Sequence, residues 1–221
     1  MIAGKRLAVP LLLLALASTA LLAGCAAAPE AADESAAGAT TEAAIPEVLL
    51  PAPDLSGVEL RNQNDEAVTF ESLRGTPALL TFIYTRCPMP EMCPATTLRF
   101  QEVQKALSPE ERSRVQLIAV SFDPAYDTPA VLADYAELWE VDDSVWSLLT
   151  GDQESILRVA SAYGVWYEAA EDGTFRHAMY SMVLFPDGAL HQVLPGSAWD
   201  SAEVARLLVD MADAGESAPH N

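Results

Sequence analysis

Three side chains in this sequence can together bind a soft metal or exchange electrons: Cys87, Cys93 and His177. The cysteines lie in the stretch "RCPMPEMCP", residues 86–94, with five residues between them. Pro88 and Pro90 restrict that interval and favour a folded loop that brings the two sulfurs together. Paired thiols have three chemical outcomes. They close as a structural disulfide in an oxidising compartment, cycle between dithiol and disulfide, or bind a soft cation as thiolates. Spacing leaves all three open, although closing so short a loop removes little chain entropy, which counts against a purely structural bond. Cys93 precedes Pro94, a residue suited to the first helical turn, so it is expected near a helix N-terminus. Open N–H groups and the helix dipole favour a thiolate there, and Arg86 adds a positive charge nearby.

The elements that must position these residues follow from the apolar pattern. Val58–Leu60 and Ala67–Phe70 read as a short hairpin around Asn62–Asp65. "ALLTFIY", 78–84, and "VQLIAVSF", 115–122, are almost continuously apolar, as strands buried on both faces are. A helix is expected over 95–107. Thr128 with Pro129 starts another, striped by Val131, Tyr135 and Leu138. "VWSLL", 145–149, is a strand. Asp152 caps a helix carrying Ile156, Val159, Ala160 and Tyr163, and Gly164 ends it. "SMVLF" and "ALHQV" flank the turn Pro186-Asp187-Gly188, and a last helix starts at Asp200 with Val204, Leu207, Leu208 and Met211 inward. This is an α/β order. A central mixed sheet flanked by helices, with cysteines at a strand-to-helix junction, an N-terminal hairpin and a closing hairpin and helix, points to a thioredoxin-like fold.

In that fold the loop entering the closing hairpin faces the cysteine turn and normally carries a cis-proline. Here no proline lies between Tyr167 and Phe185, and the segment "FRHAMYSMVLF" supplies His177 instead. Two thiolates and one imidazole suit Cu(I), or Cu(II) with a fourth ligand. His191, on the second hairpin strand, and His220, in the C-terminal tail, are poorer candidates. Met89 and Met92 are soft, but are read as packing or exposed residues. Asp123 ends a buried strand on the edge where sites form in open α/β sheets, a place from which to orient His177, guide copper or touch a client. Asp127 reads as part of the start of the helix at Thr128.

At these residues the sequence resembles the Sco/SenC family of copper chaperones over about residues 52–213. The similarity rests on "LRGTPALLTFIYTRCP", the second "CP" at 93–94, "VSFDPAYDTP" at 120–129, "WSLLTG" at 146–151 and "RHAMYSMVLFPDG" at 176–188. It implies a thioredoxin-like fold, copper held by Cys87, Cys93 and His177, and a role in maturing the binuclear copper centre of cytochrome c oxidase. The implied partners are the oxidase subunit that carries that centre and a copper donor protein. It implies a metallochaperone rather than a turnover enzyme. Thiol–disulfide exchange by Cys87 and Cys93 on exported cysteine pairs is the alternative, with a peroxidase-like cysteine a distant third. The commonest family loop has three residues between its cysteines. The five found here resemble a proline-containing variant of the same family.

The first 24 residues read as a leader. Lys5 and Arg6 precede an apolar run, Leu11–Leu22, that is short for a membrane span. "LAGC", ending at Cys25, resembles the lipobox of bacterial lipoproteins, which implies a lipidated Cys25, a disulfide-permissive exported compartment and a domain on the outer side of the cell membrane. Residues 25–47 are rich in Ala, Glu, Thr and Pro and read as a flexible tether. Residues 48–214 form one domain, and 215–221 a tail. The formal charge of −20 across 221 residues makes nucleic acid an unlikely partner and favours cations or a basic protein face. Loss of residues 1–24 removes Lys5, Arg6 and no acid, so the mature chain is more negative by two.

Overall fold

The computed structural model describes residues 50–217. The leader, Cys25, the 25–47 tether and His220 lie outside the described residues. An N-terminal hairpin, β1 (Glu59–Asn62) and β2 (Ala67–Thr69), turns through Asp65 at a positive φ of 60°. A single 3-10 turn, Phe70–Leu73, leads to β3 (Ala78–Ile83). Then come α1 (Cys93–Ala106), the one-turn α2 (Pro109–Arg112), β4 (Gln116–Ser121), α3 (Pro129–Leu138), β5 (Trp146–Gly151) and α4 (Gln153–Ala162). A ribbon of β6 (Tyr167–Ala169) and β7 (Phe175–His177) precedes the closing hairpin, β8 (Tyr180–Leu184) and β9 (Leu190–Pro195), and α5 (Ser201–Ser217).

Seven strands form one sheet in the order β2-β1-β5-β4-β3-β8-β9, and β6 and β7 pair only with each other. β3, β4 and β5 are parallel, while β1, β8 and β9 join antiparallel. This mixed sheet with helices around it is the thioredoxin-like arrangement expected from the order of elements. β3 is buried at all six positions, and β4 at all but its first. That is why both read as unbroken apolar runs: helices or other strands cover both faces. Fully buried side chains such as Leu79, Leu80, Phe100 and Leu117 each contribute about 1.5–3 kcal/mol of transfer free energy.

The helix starts agree with the sequence reading. Thr128 Oγ1 accepts from Val131 N at 3.4 Å, Asp152 Oδ1 from Ser155 N at 2.9 Å, and Asp200 Oδ1 from Ala202 N and Glu203 N at 2.8 and 3.0 Å. Four details differ. α1 begins at Cys93 rather than near 95, because Pro94 is tolerated in the first turn. The short α2 was not anticipated, although Ser108 and Glu111 form a capping box there. The buried stripe of α3 is Leu132 and Tyr135, and Leu138 is 74% exposed. The Tyr135 hydroxyl shares a 2.8 Å hydrogen bond with Thr97 of α1, which fixes the rotation of α3. α5 runs to Ser217, past the expected limit at 214, and takes Gly215 into its last turn.

β3 and β4 run side by side in register, Ile83 opposite Ser121. The segments after them, 84–92 and 122–128, therefore leave the sheet next to each other at the carboxyl ends of parallel strands. Open α/β sheets build their sites in that crevice.

Candidate metal centre

The cysteine loop folds back on two successive turns. Cys87 N donates to Tyr84 O at 3.3 Å, and Met92 N to Met89 O at 3.1 Å. The second turn delivers Cys93 as the first residue of α1. Cys87 is half-buried and Cys93 buried, and both are free thiols. The Cys87 sulfur lies 3.9 Å from Met89 O, and each thiol shifts the acidity of the other. A hydrogen bond from the Cys93 thiol is the largest influence on Cys87 and brings its pKa down to about 5, against a desolvation that opposes ionisation. The backbone of Met89 and of Cys93 adds to this stabilisation. Cys93 moves the other way, pushed up first by Cys87 and then by burial.

This reverses the expectation that the helix N-terminus would make Cys93 the thiolate. Two adjacent sulfurs cannot both ionise cheaply, and the half-exposed one takes the charge. The N-terminus of α1 has no side-chain cap, Met92 standing at the N-cap position. The Cys93 backbone is among the groups that lower the Cys87 pKa. Arg86 is not the sulfur's counter-ion. Its Nε donates to Asp123 Oδ2 at 2.7 Å, and its guanidinium stacks on the Tyr126 ring at 4.8 Å.

His177 ends β7, paired with Tyr167 of β6. Its ring meets the edges of strand-end aromatics: Phe122 at 4.7 Å and Tyr84 at 6.2 Å between centroids. Nδ1 lies 2.9 Å from Ala178 O. A carbonyl only accepts, so Nδ1 carries the proton in that contact and Nε2 keeps a free lone pair. Nε2 is buried and without a protein partner. The Tyr84 hydroxyl is in the same condition. Its pKa is pushed up to about 12, chiefly by burial, and the hydroxyl has no hydrogen-bond partner in the protein. Buried polar atoms left unpaired are costly and rare. Two of them stand on neighbouring rings, Tyr84 and His177, at the end of β3.

Asp123 does not orient His177, since the Ala178 carbonyl takes that role. Asp123 is buried and instead ties Arg86, next to Cys87, to the end of β4, with its own N–H donating to Ser121 Oγ at 3.1 Å. Asp127 does more than help to start α3. It is fully buried and accepts from Thr85 N at 3.0 Å, Thr85 Oγ1 at 2.5 Å and Ser121 Oγ, locking the ends of β3 and β4 together. Burial pushes its carboxyl up, while these bonds act in the opposite direction. Met89 and Met92 are half-buried. His191 is buried in β9 with its ring edge-on to Phe185 at 5.0 Å.

The fold thus brings Cys87 and Cys93 to the two ends of one folded loop and packs His177 against Tyr84, whose carbonyl accepts from Cys87 N. Among the described residues no three His, Cys, Asp or Glu groups stand close enough to hold a metal ion as they are. The donor set still fits a soft metal. Two free thiols share one loop, and the third donor is a buried imidazole nitrogen without a protein partner on a short ribbon that pairs with no strand of the main sheet. Sequence reasoning missed Tyr84 and Phe122, whose rings meet that imidazole, and Phe175, which packs on both of them. The signal was present in the aromatic ends of "TFIY" and "VSF".

Comparison with known proteins places these features in a family. The SCO1/SenC family model matches residues 56–213. The SCO1 protein homolog of Bacillus subtilis is 35% identical over 95 residues, which cover 43% of this chain and 48% of that protein. The chain spans about half the length of many of the curated relatives it matches. Copper-bound ScoI of Bradyrhizobium japonicum superposes with a TM-score of 0.61 at 30% identity, covering 70% of this chain and 96% of that one. BsSco, a member of the Sco family of cytochrome c oxidase assembly proteins with an identified disulfide switch, superposes with a TM-score of 0.64 at 25% identity. That match covers 79% of this chain and 99% of BsSco.

Proposed function

The chain belongs to the SCO1/SenC family, and from that premise we propose that it is a copper-binding assembly factor that carries copper toward the binuclear centre of cytochrome c oxidase. Copper is the cargo, and Cys87, Cys93 and His177 are its ligands. The observation that carries this reading is the pair of free thiols on one loop together with a half-buried imidazole, packed against Tyr84 of that loop, whose buried Nε2 has no protein partner. Cu(I) is a soft cation satisfied by two thiolates, so the interacting sulfur pair suits it. The two thiols share one easily lost proton, so binding at neutral pH chiefly costs the proton of Cys93. Metal affinity therefore rises with pH. Partners are the oxidase subunit that receives the copper and a donor that supplies it. Metal analysis of reduced protein after exposure to Cu(I) and removal of excess should give one copper per chain. Less than about one tenth of a copper per chain would refute the reading.

The domain is proposed to work outside the cytoplasmic membrane, held there by a lipid on Cys25, with residues 26–47 as the tether. The support is the leader pattern ending in "LAGC". Among the described residues no helix is long and apolar enough to cross a membrane. Intact-mass measurement on protein extracted from membranes should show a chain starting at Cys25 with added acyl mass. A chain starting at Met1, or an unmodified Cys25, would exclude the anchor.

A second reading has its own observation. A half-exposed thiol with a lowered pKa beside a buried thiol with a raised one is the arrangement of an attacking and a resolving cysteine. Cys87 would attack a partner disulfide, and Cys93 would then displace the partner from the mixed disulfide. Two electrons pass to the partner, leaving its two thiols free and a Cys87–Cys93 disulfide behind. The copper measurement above separates this reading from the first.

A further inference from the structure

Two methionines have no place in either reading, yet they stand between the two cysteines. Met89-Pro90-Glu91-Met92 is a tight turn, closed by Met92 N donating to Met89 O at 3.1 Å. Proline holds its second position, where it favours such turns. The turn sets the Cα atoms of Met89 and Met92 less than about 7 Å apart, so both side chains leave the chain at one place. The Cys87 sulfur meets the same turn, 3.9 Å from Met89 O. Met92 also precedes Cys93, at the N-cap position of α1. Exposure is graded along this loop: Pro90 and Glu91 are exposed, Met89 and Met92 half-buried, and Cys93 buried.

Packing does not account for the pair. Met182 and Met211 belong to the core, at 1% and 2% exposure. Among the described residues, Met89 and Met92 lie neither in that core nor with the half-buried side chains packed against it, although Cys87 does. Residues 87–93 therefore carry four soft donors, two thiols and two thioethers, and the thioethers serve no core. A thioether is uncharged and binds soft Cu(I) without first losing a proton.

We propose that Met89 and Met92 form a second, weaker Cu(I) site at the outer turn of the cysteine loop, which takes the ion first and passes it to Cys87 and Cys93. The proposal rests on the reading in which those two thiols are the final copper ligands. The copper stays Cu(I) throughout. Its bonds to the two thioethers break as bonds to the two cysteine sulfurs form, and a thiol that still holds its proton gives it to water. An ion arriving from solvent meets the half-buried thioethers before the buried thiol of Cys93, and the exposed acidic side chain of Glu91 between them draws cations in.

The first test uses the full-length chain with Cys87→Ser and Cys93→Ser, its methionine methyl groups labelled with carbon-13, and Ag(I) as a soft, redox-inert probe. The Met89 and Met92 methyl resonances should move together over one range of Ag(I), while those of Met182 and Met211 stay in place. Met89→Leu nearly keeps the volume of the side chain. It should weaken the Met92 response at least about tenfold, because the two thioethers share one ion. The second test keeps both cysteines and follows Cu(I) uptake by the reduced chain from a Cu(I) chelator. Met89→Leu with Met92→Leu should slow uptake about tenfold and lower equilibrium affinity less than about threefold, a split that damage to the cysteine pair itself would not produce. Unmoved Met89 and Met92 methyls, equal movement of all the methionines, or uptake as fast in the double leucine variant as in the native chain would each overturn the proposal. If the native cysteines take up no copper, the assembly-factor reading fails, and the methyl resonances still decide whether the thioether site exists.

Discussion

Replacing either Cys87 or Cys93 by serine should abolish tight Cu(I) binding, lowering affinity at least about a hundredfold, or about 2.7 kcal/mol. Serine keeps the shape of cysteine and offers a hard, protonated oxygen that a soft cation does not favour. The two variants should fail for different local reasons. Cys87 is the half-exposed sulfur that already carries the charge, so Cys87→Ser removes the anionic ligand itself. Cys93 is buried at the first turn of α1, and Cys93→Ser removes the second ligand while leaving a hydroxyl able to donate to Cys87. In Cys93→Ala, which removes that donor, the remaining thiol should be a weaker acid than in the native chain. Competition against a Cu(I) chelator measures affinity, and alkylation rate against pH reads the acidity of the remaining thiol. Tight one-to-one binding by either serine variant would eliminate the two-cysteine site.

His177→Ala should separate the two oxidation states of copper. Cu(II) affinity should fall about a hundredfold and Cu(I) affinity less than about tenfold, since two thiolates alone can hold Cu(I) in linear coordination. The Cys87–Cys93 disulfide should still form, because it needs only the two sulfurs at the right separation. Alanine also empties space against Phe122 and Tyr84, so part of its effect reflects packing. His177→Phe keeps a ring there and removes both nitrogens, and it should lose Cu(II) affinity to the same extent. Native Cu(II) affinity in both variants would show that the imidazole is not a ligand. The assembly-factor reading would then give way to the thiol–disulfide one. Retention in His177→Phe alone would assign the ring a packing role, and it would likewise remove the imidazole from the ligand set.

The sheet could be foreseen from its strands because each carries its own evidence. "ALLTFI" and "QLIAVS" are buried on both faces and say so residue by residue, and Thr128, Asp152 and Asp200 announce helix starts through hydrogen bonds that span two or three residues. α3 shows the limit of such local reasoning. Its periodicity allows either Leu132 or Leu138 to complete the apolar stripe. The choice falls to a hydroxyl pair, Tyr135 and Thr97, 38 residues apart. The β6–β7 ribbon was invisible for a related reason. Three-residue strands with half-buried or exposed side chains have no apolar alternation to read, and only the pairing of 167–169 with 175–177 creates them.

By itself the sequence determined the reactive groups and the scaffold that holds them: two cysteines across a proline-restricted loop, a histidine before the closing hairpin, and an α/β order with that loop at a strand-to-helix junction. These are properties of residue type and short-range spacing, and no distant contact is needed to read them. Tertiary structure alone decided how the groups share their tasks. It gave the charge to Cys87 rather than Cys93, because exposure, burial and sulfur–sulfur hydrogen bonding are set by what surrounds the loop. It turned Asp123 toward Arg86 and left the orientation of His177 to the Ala178 carbonyl. It also put the Tyr84 hydroxyl and His177 Nε2, 93 positions apart in the chain, on neighbouring rings without protein partners. Acidity and hydrogen-bond satisfaction depend on every atom within a few ångströms, and which atoms those are is known only once the chain has folded.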